Sequence, residues 1–193
     1  MKQFWEGLTA ETAPDAIITN AKHTVENLHE IEQEGWEFLP FGGSVLDFAC
    51  GVGRNSYRLQ NNFTNVACYD LPNMLDIMKS TTKYKESSGL ELFYNWDYVK
   101  WQKCDVIFCC IALQHIYEEE LMGYLADFAK MTKNLYVFTR SYNDDNKKNM
   151  LELLERHFTF VKALGKSYEE IKAASGEDHY FVHMEAKARK QTR

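Results

Sequence analysis

Two hydrophobic patterns alternate along this chain. Compact apolar runs recur, and between them lie stretches in which apolar residues return every three or four positions. The runs are typical of buried strands, and the spaced pattern is typical of amphipathic helices. Together they predict strands over 45–50, 65–69, 90–96, 105–112, 135–139, 158–164 and 180–185, and helices over 54–61, 72–82, 118–132, 146–155 and 168–174. Apolar strands separated by helices indicate a parallel sheet that is covered on both faces.

The two ends of the chain depart from this alternation. Residues 14–32 carry apolar positions at the helical period with an acidic outer face, and they predict a helical cap over residues 1–40. The last two predicted strands lie close together in the chain, as expected for an antiparallel pair that ends a parallel sheet. We therefore expect one domain, with an α/β core over residues 41–193 built on a doubly wound, seven-stranded sheet.

Composition and charge narrow the class of protein. The chain has 193 residues, of which 45% are hydrophobic and 26% charged, as in an ordinary globular domain. Its net charge is −6 at pH 7. The acidic excess lies in the first 37 residues, which contain eight Asp and Glu residues but only two Lys. The one basic run is the tail over 187–193, which is typical of a solvated end. A nucleic-acid partner is therefore not expected.

The cysteine pattern bears on the cellular compartment. Cysteines occur five times, within or beside apolar runs and without C-x-x-C spacing, at Cys50, Cys68, Cys104, Cys109 and Cys110. This placement predicts reduced cysteines packed in the core. The longest uncharged apolar-rich stretch, 106–117, is too short to cross a bilayer, and no His or Cys spacing is typical of a metal site. We expect a cytoplasmic protein with no membrane contact and no bound metal.

The clearest chemical signal is the string DFACGVGR over 47–54, where a predicted strand turns into a helix. Glycines at such a turn allow positive φ and close approach of a ligand. Free N–H groups at the start of a helix favour polar or anionic ligand groups. A tight connection that binds nothing fits this one feature equally well.

A carboxylate at the end of the next strand strengthens the signal. Asp70 ends the predicted strand that follows the glycine turn. Ligands of open α/β sheets bind at the carboxyl ends of the strands, and an acid on the second strand accepts hydrogen bonds from ribose hydroxyls. The two signals together favour an adenosine-containing ligand, although Asp70 is also suited to capping the helix that begins at Pro72.

Three strings in this order, VLDFACGVGR, ACYDLPNML and CDVIFCCIALQHI, resemble the class I S-adenosylmethionine-dependent methyltransferases. They are similar to that family's glycine-rich first motif, acidic second-strand motif and fourth-strand motif, over about residues 43–140. The resemblance implies a Rossmann-like fold with S-adenosylmethionine as the cofactor. A dinucleotide-binding fold fits less well, because Ser56 stands where that motif needs a third glycine and Asp47 lies inside the preceding strand.

The resemblance also implies which residues bind the cofactor. Asp47 would hold the turn or orient the methionine amino group, Asp70 would bind the ribose, and Leu71 would pack on the adenine. After the third strand, Asp97 with its neighbour Trp96 would contact the adenine amine, although core packing suits Trp96 equally well. The other implied cofactor-binding residues are Ala49, Gly51, Gly53 and Ile111. The family commonly has glycine in place of Ala49, so we expect binding with a slightly altered turn.

Two further strand ends carry candidates for contact with the acceptor. His115 follows the fourth strand, where it is suited to removing a proton from an acceptor or, equally, to ordering the loop. Arg140 ends the fifth strand, where it would bind a negative group of the acceptor or pair with Asp144 or Asp145. Tyr142 lies in the same loop and is a further candidate.

These features predict an enzyme that transfers the methyl group of S-adenosylmethionine to an oxygen, nitrogen or sulfur atom. A small-molecule acceptor is expected, because the segments around the predicted site are short and suited to closing a pocket. Two alternatives stay open. A cofactor-binding regulatory module without turnover would carry the same motifs, and a dinucleotide-dependent oxidoreductase would share much of the fold.

Overall fold

A seven-stranded sheet lies at the centre of the computed structural model, which describes residues 35–132, 134–140, 149–164 and 181–188 together with Glu6, Gly7 and Thr9. The strands are β1 Ser44–Phe48, β2 Asn65–Tyr69, β3 Leu90–Phe93, β4 Val106–Cys110, β5 Asn134–Arg140, β6 Phe158–Leu164 and β7 Phe181–Ala188. The helices are α1 Arg54–Leu59, α2 Pro72–Ser80, α3 Thr82–Glu86, α4 Trp96–Val99, α5 Glu118–Met131 and α6 Met150–Glu155. Short 3-10 turns occupy Trp36–Phe38 and Leu113–His115.

The strand order is β3-β2-β1-β4-β5-β7-β6. Strands β1 to β5 pair in parallel, whereas β7 pairs antiparallel with both β5 and β6. The predicted Rossmann-like sheet, mostly parallel with an antiparallel pair of late strands, is confirmed. Because β7 lies inside the sheet, β6 forms one edge strand, and β3 forms the other. The carboxyl ends of β2, β1 and β4, three adjacent strands, therefore meet at one edge of the sheet.

Both faces of the sheet are covered, as the apolar strands predicted. Alternate residues of β1 and β4 enter two separate cores, since successive side chains of a strand point to opposite faces. One core joins Leu46 and Ile107 to apolar residues of α5 and α6. The other joins Val45 and Phe108 to apolar residues of α1 and α2.

The predicted boundaries fail where short side chains cap new helices. The strand predicted over 90–96 ends at Phe93, because the Asn95 side chain accepts a hydrogen bond from the Asp97 N–H at 2.8 Å and starts α4. The helix predicted over 72–82 ends at Ser80. Thr81 then takes an extended conformation, and its hydroxyl accepts from the Tyr84 N–H at 3.2 Å to start α3. Such capping hydrogen bonds stabilise helix starts by about 1 kcal/mol.

The predicted cap helix over 14–32 lies outside the described residues. The described part of the segment ahead of β1 is held by Trp36. Its indole N–H donates to Asn62 Oδ1 at 3.1 Å, and its ring meets Phe108 edge to face, with centroids 5.9 Å apart. Among the described residues, none of the helices has the length and apolar character needed to cross a membrane.

Candidate functional site

A cavity of about 270 Å³ opens at the sheet edge where β1, β2 and β4 end. Residues that follow these three strands line it, together with residues of α1, α2 and α5. The lining residues are Asp47, Phe48, Ala49, Cys50, Gly51, Val52, Arg54, Asn55, Tyr69, Asp70, Leu71, Met74, Cys110, Ile111, Ala112, His115, Ile116, Tyr117, Glu120 and Tyr124. The cavity thus lies where open α/β sheets bind ligands.

The turn after β1 is fixed from beneath by a buried carboxylate. Asp47 is 1% exposed, and it accepts a hydrogen bond of 2.6 Å from the Ser56 hydroxyl on α1. Ser56, which takes the place of the third glycine in a dinucleotide motif, therefore holds the turn through its side chain. Ala49 has a φ of +58°, in the left-handed region that favours glycine. The alanine thus keeps the backbone form for which the family commonly uses glycine.

Gly53 serves packing at this turn and does not line the cavity. Its φ is +84°, and a Cβ atom built on it would lie 2.5 Å from the methyl carbon of Met78 on α2. A side chain at this position would therefore strain the backbone and require the end of the Met78 side chain to shift. Gly53 therefore allows the Met78 side chain of α2 to pack against the start of α1, and its contact with the cofactor stays a prediction.

Asp70, at the end of β2, joins the two neighbouring turns. One carboxylate oxygen accepts a 2.6 Å hydrogen bond from the Gly51 N–H, and the other accepts one of 2.6 Å from the Leu71 N–H. Burial raises the pKa of Asp70 from 3.8 to about 6, and the two backbone hydrogen bonds act in the opposite direction. The carboxylate is therefore ionised at neutral pH but easily protonated in mild acid.

The end of β4 carries a strained backbone. Ile111 has a φ of +52°, which is an outlier for a β-branched residue. Its N–H donates to the Phe138 carbonyl of β5 at 2.7 Å, and this bond holds it in place. Strained residues of this kind cluster at functional sites, and Ile111 lines the cavity.

His115 lies in the turn after β4, where a chain of side chains fixes it. The Thr139 hydroxyl donates to Gln114 Oε1 at 2.8 Å, so the Gln114 amide nitrogen is turned toward His115. The Gln114 Nε2 and His115 Nε2 atoms are 3.2 Å apart. Because the amide nitrogen is a donor only, His115 Nε2 accepts in this arrangement.

An aromatic wall with a carboxylate closes another part of the cavity, and its residues are not among those predicted from the sequence. The Tyr124 hydroxyl lies 3.5 Å from Glu120 Oε1, and Tyr69 lines the same part of the cavity. Burial raises the pKa of both tyrosines, so both are neutral. Glu120 and Tyr124 are four residues apart, so they share one face of α5, and Tyr117 directly precedes this helix. That spacing was the signal available in the sequence.

The structure brings together most of the residues that the resemblance implied. Those that line the cavity are Asp47, Ala49, Gly51, Asp70, Leu71, Ile111 and His115. Arg140 is the last residue of β5, and only its backbone is described. Tyr142 lies outside the described residues. No group of His, Cys, Asp and Glu suited to a metal occurs in the described ranges.

Trp96 and Asp97 are not brought to the cavity. The Trp96 ring packs between aromatic residues, with its centroid 5.0 Å from those of both Tyr69 and Tyr124. Its indole N–H donates to Asp127 at 3.0 Å. Asp97 is exposed, and its carboxylate pairs with the Lys100 ammonium at 2.5 Å. Both side chains are thus engaged elsewhere, and the core-packing alternative fits Trp96.

Comparison with known proteins agrees with this arrangement. Residues 45–134 match a family model described as a methyltransferase domain. No curated protein sequence matches this chain.

Solved structures with a similar fold have low sequence identity. The PH0226 protein from Pyrococcus horikoshii OT3 has a TM-score of 0.66 and 15% identity, over 98% of this chain and 100% of that one. The N-methyltransferase NodS from Bradyrhizobium japonicum WM9, in complex with S-adenosylhomocysteine, has a TM-score of 0.62 and 9% identity, over 95% and 100%. A candidate O-methyltransferase from Nostoc punctiforme PCC 73102 has a TM-score of 0.59 and 12% identity, over 81% of this chain and 54% of that one. This chain therefore spans about half the length of the Nostoc protein.

The raised pKa of Asp70 generates a prediction about pH. If Asp70 binds the ribose, as the sequence predicts, its ionised form accepts stronger hydrogen bonds from the hydroxyl groups than its protonated form does. Affinity for S-adenosylhomocysteine should therefore fall about tenfold between pH 7 and pH 5, measured by isothermal titration calorimetry, because the pKa is about 6.

The Asp70→Asn variant is the matched control, since its amide does not titrate. It should bind more weakly at pH 7 and show a flat profile over the same range. A wild-type affinity that stays constant from pH 7 to pH 5 would contradict the assignment of the ribose to Asp70.

Proposed function

We propose that this chain is a class I S-adenosylmethionine-dependent methyltransferase and that its acceptor is a small molecule, methylated at an oxygen, nitrogen or sulfur atom. The observation that carries this proposal is the convergence of the β1, β2 and β4 ends on one cavity of about 270 Å³. This volume lies at the lower end of the range of about 300–1,000 Å³ that ligand pockets measure, so it suits small molecules and not a macromolecular acceptor.

The residues of the cavity fit the cofactor. Asp70 provides acceptor oxygens at the end of β2, beside the Gly51 turn, as ribose hydroxyls require. Ala49 and Gly51 hold left-handed turns that bring the backbone close to a ligand. The apolar side chain of Leu71 lines the cavity next to Asp70, where an adenine ring would pack.

The methionine part of the cofactor would then lie toward β4. Ile111 and Ala112 line that side, and the turn with His115 follows them. This direction leads to the end of β5, where the backbone of Arg140 lies. Arg140 and Tyr142 therefore remain proposed acceptor contacts, with Arg140 selecting a negative group on the acceptor.

The bound cofactor supplies an activated methyl group on a sulfonium. The chain's own contribution is to align the acceptor atom with that methyl group and to exclude competing water. Alignment of this kind lowers a barrier by about 7 kcal/mol or more. The Ile111 backbone, held by β5 in an uncommon conformation, is suited to fixing the position of the reacting atoms.

The direct test is a transfer assay with methyl-labelled S-adenosylmethionine and pools of small metabolites, in which the label should appear in one product. S-adenosylhomocysteine should also stabilise the fold, by about 2.7 kcal/mol at 100 times its dissociation constant. For a chain of this size the melting temperature should rise by about 5–11 °C. NAD should give no shift.

Asp70→Ala is the control for both measurements. Its loss of charge-assisted hydrogen bonds should weaken cofactor binding about 10- to 150-fold. A melting shift with NAD and none with S-adenosylhomocysteine would contradict the proposal, as would label transfer that Asp70→Ala leaves unchanged.

For His115 we propose the loop-ordering role, because its Nε2 atom faces the Gln114 amide nitrogen. The His115→Gln variant retains hydrogen-bonding groups but cannot act as a base at neutral pH. We expect its kcat to stay within about tenfold of the wild type. Loss of a general base costs about 10²- to 10⁴-fold. A fall of that size, with unchanged affinity for S-adenosylhomocysteine, would assign proton removal to His115.

A further inference from the structure

The cavity extends in two directions from Asp70. On one side lie Ile111 and His115, which follow β4. On the other side Tyr69, the last residue of β2, meets Tyr124 and Glu120 of α5. Since β1 separates β2 from β4 in the sheet, the two sides are distinct. This inference rests on the proposed function, in which the ribose binds at Asp70. Because the methionine part of the cofactor would then lie on the Ile111 side, the adenine must occupy the Tyr69 side.

Asp97, the acid expected to contact the adenine amine, does not line the cavity on this side. The Asp97 side chain is 79% exposed and pairs with Lys100. Asn95, which precedes it, is engaged in capping α4. The neighbouring Trp96 directs its only polar group to Asp127. None of these three side chains lines the cavity beside Leu71.

Glu120 supplies the missing acceptor from a different element. Its carboxylate lines the cavity at the aromatic wall, and the Tyr124 hydroxyl lies 3.5 Å from it. A carboxylate at the edge of an aromatic wall matches the chemistry of adenine, which has a planar apolar ring and an exocyclic amine donor. Tyr69 and Tyr124 are held in place by the Trp96 ring, whose centroid lies 5.0 Å from the centroid of each.

We propose that Glu120 recognises the cofactor's adenine by accepting a hydrogen bond from its exocyclic amine, with Tyr69 and Tyr124 forming the wall against which the ring packs. Adenine recognition in this protein then comes from helix α5 and not from the loop after β3. Glu120 is a specificity-determining residue for the base, separate from Asp70, which binds the sugar.

The test compares two ligands and two variants by isothermal titration calorimetry. S-adenosylhomocysteine carries the amine, whereas S-inosylhomocysteine has a carbonyl oxygen in its place, which would face the Glu120 carboxylate. Wild type should bind the adenine compound about tenfold or more tightly than the inosine compound, as expected for one charge-assisted hydrogen bond. Glu120→Gln should bring the two affinities within about threefold, because an amide also donates to the carbonyl.

The Glu119→Gln variant is the matched control, since Glu119 is exposed on the same turn of α5 and does not line the cavity. It removes the same charge and should keep the tenfold preference. A Glu120→Gln variant that binds both ligands with wild-type preference would overturn the role of Glu120. If the wild type bound neither ligand, the proposed function would fail. If it bound S-adenosylhomocysteine without a preference that depends on Glu120, only the role of Glu120 would fail.

Discussion

The carboxylate of Asp70 is the interaction on which the site depends. By accepting hydrogen bonds from the Gly51 and Leu71 N–H groups, it ties the turn after β1 to the end of β2. A neutral side chain would leave those backbone donors without a charged partner at this edge. Burial opposes the charge, and the raised pKa of Asp70 reports that opposition. The protein thus keeps an ionised carboxylate in an unfavourable place, where we propose that a ligand's hydroxyl groups add further hydrogen bonds.

Two residues with strained backbones lie at the same edge of the sheet. Ala49 and Ile111, which follow the adjacent strands β1 and β4, both have positive φ without being glycine. Left-handed residues cost about 1–2 kcal/mol each. The sheet holds them through hydrogen bonds of their neighbours, such as Cys50 N–H to the Tyr69 carbonyl at 3.1 Å. Rigid strands therefore fix the shape of the cavity before any ligand arrives.

Sequence patterns predicted the features that depend on local order. The strands, their parallel arrangement and the Asp47 to Gly53 turn follow from apolar runs and glycine positions that need no distant contact. The placement of Trp96 and Asp97 does not follow from such local patterns. It depends on capping by Asn95 and on the hydrogen bond from Trp96 to Asp127 of another helix. Glu120 and Tyr124 escaped notice because their helical spacing matches an ordinary solvated face. Only the packing of Tyr124 and Tyr69 on the same Trp96 ring beside the cavity distinguishes them.

The central claim is that Asp70 organises the cofactor's ribose between two strand ends. A crystal structure of the complex with S-adenosylhomocysteine tests it most directly. We expect the Asp70 carboxylate to lie about 2.5–3.0 Å from the ribose hydroxyl oxygens, with its bond to Gly51 retained. A ribose that bonds elsewhere, with Asp70 contacting only the protein, would contradict the claim.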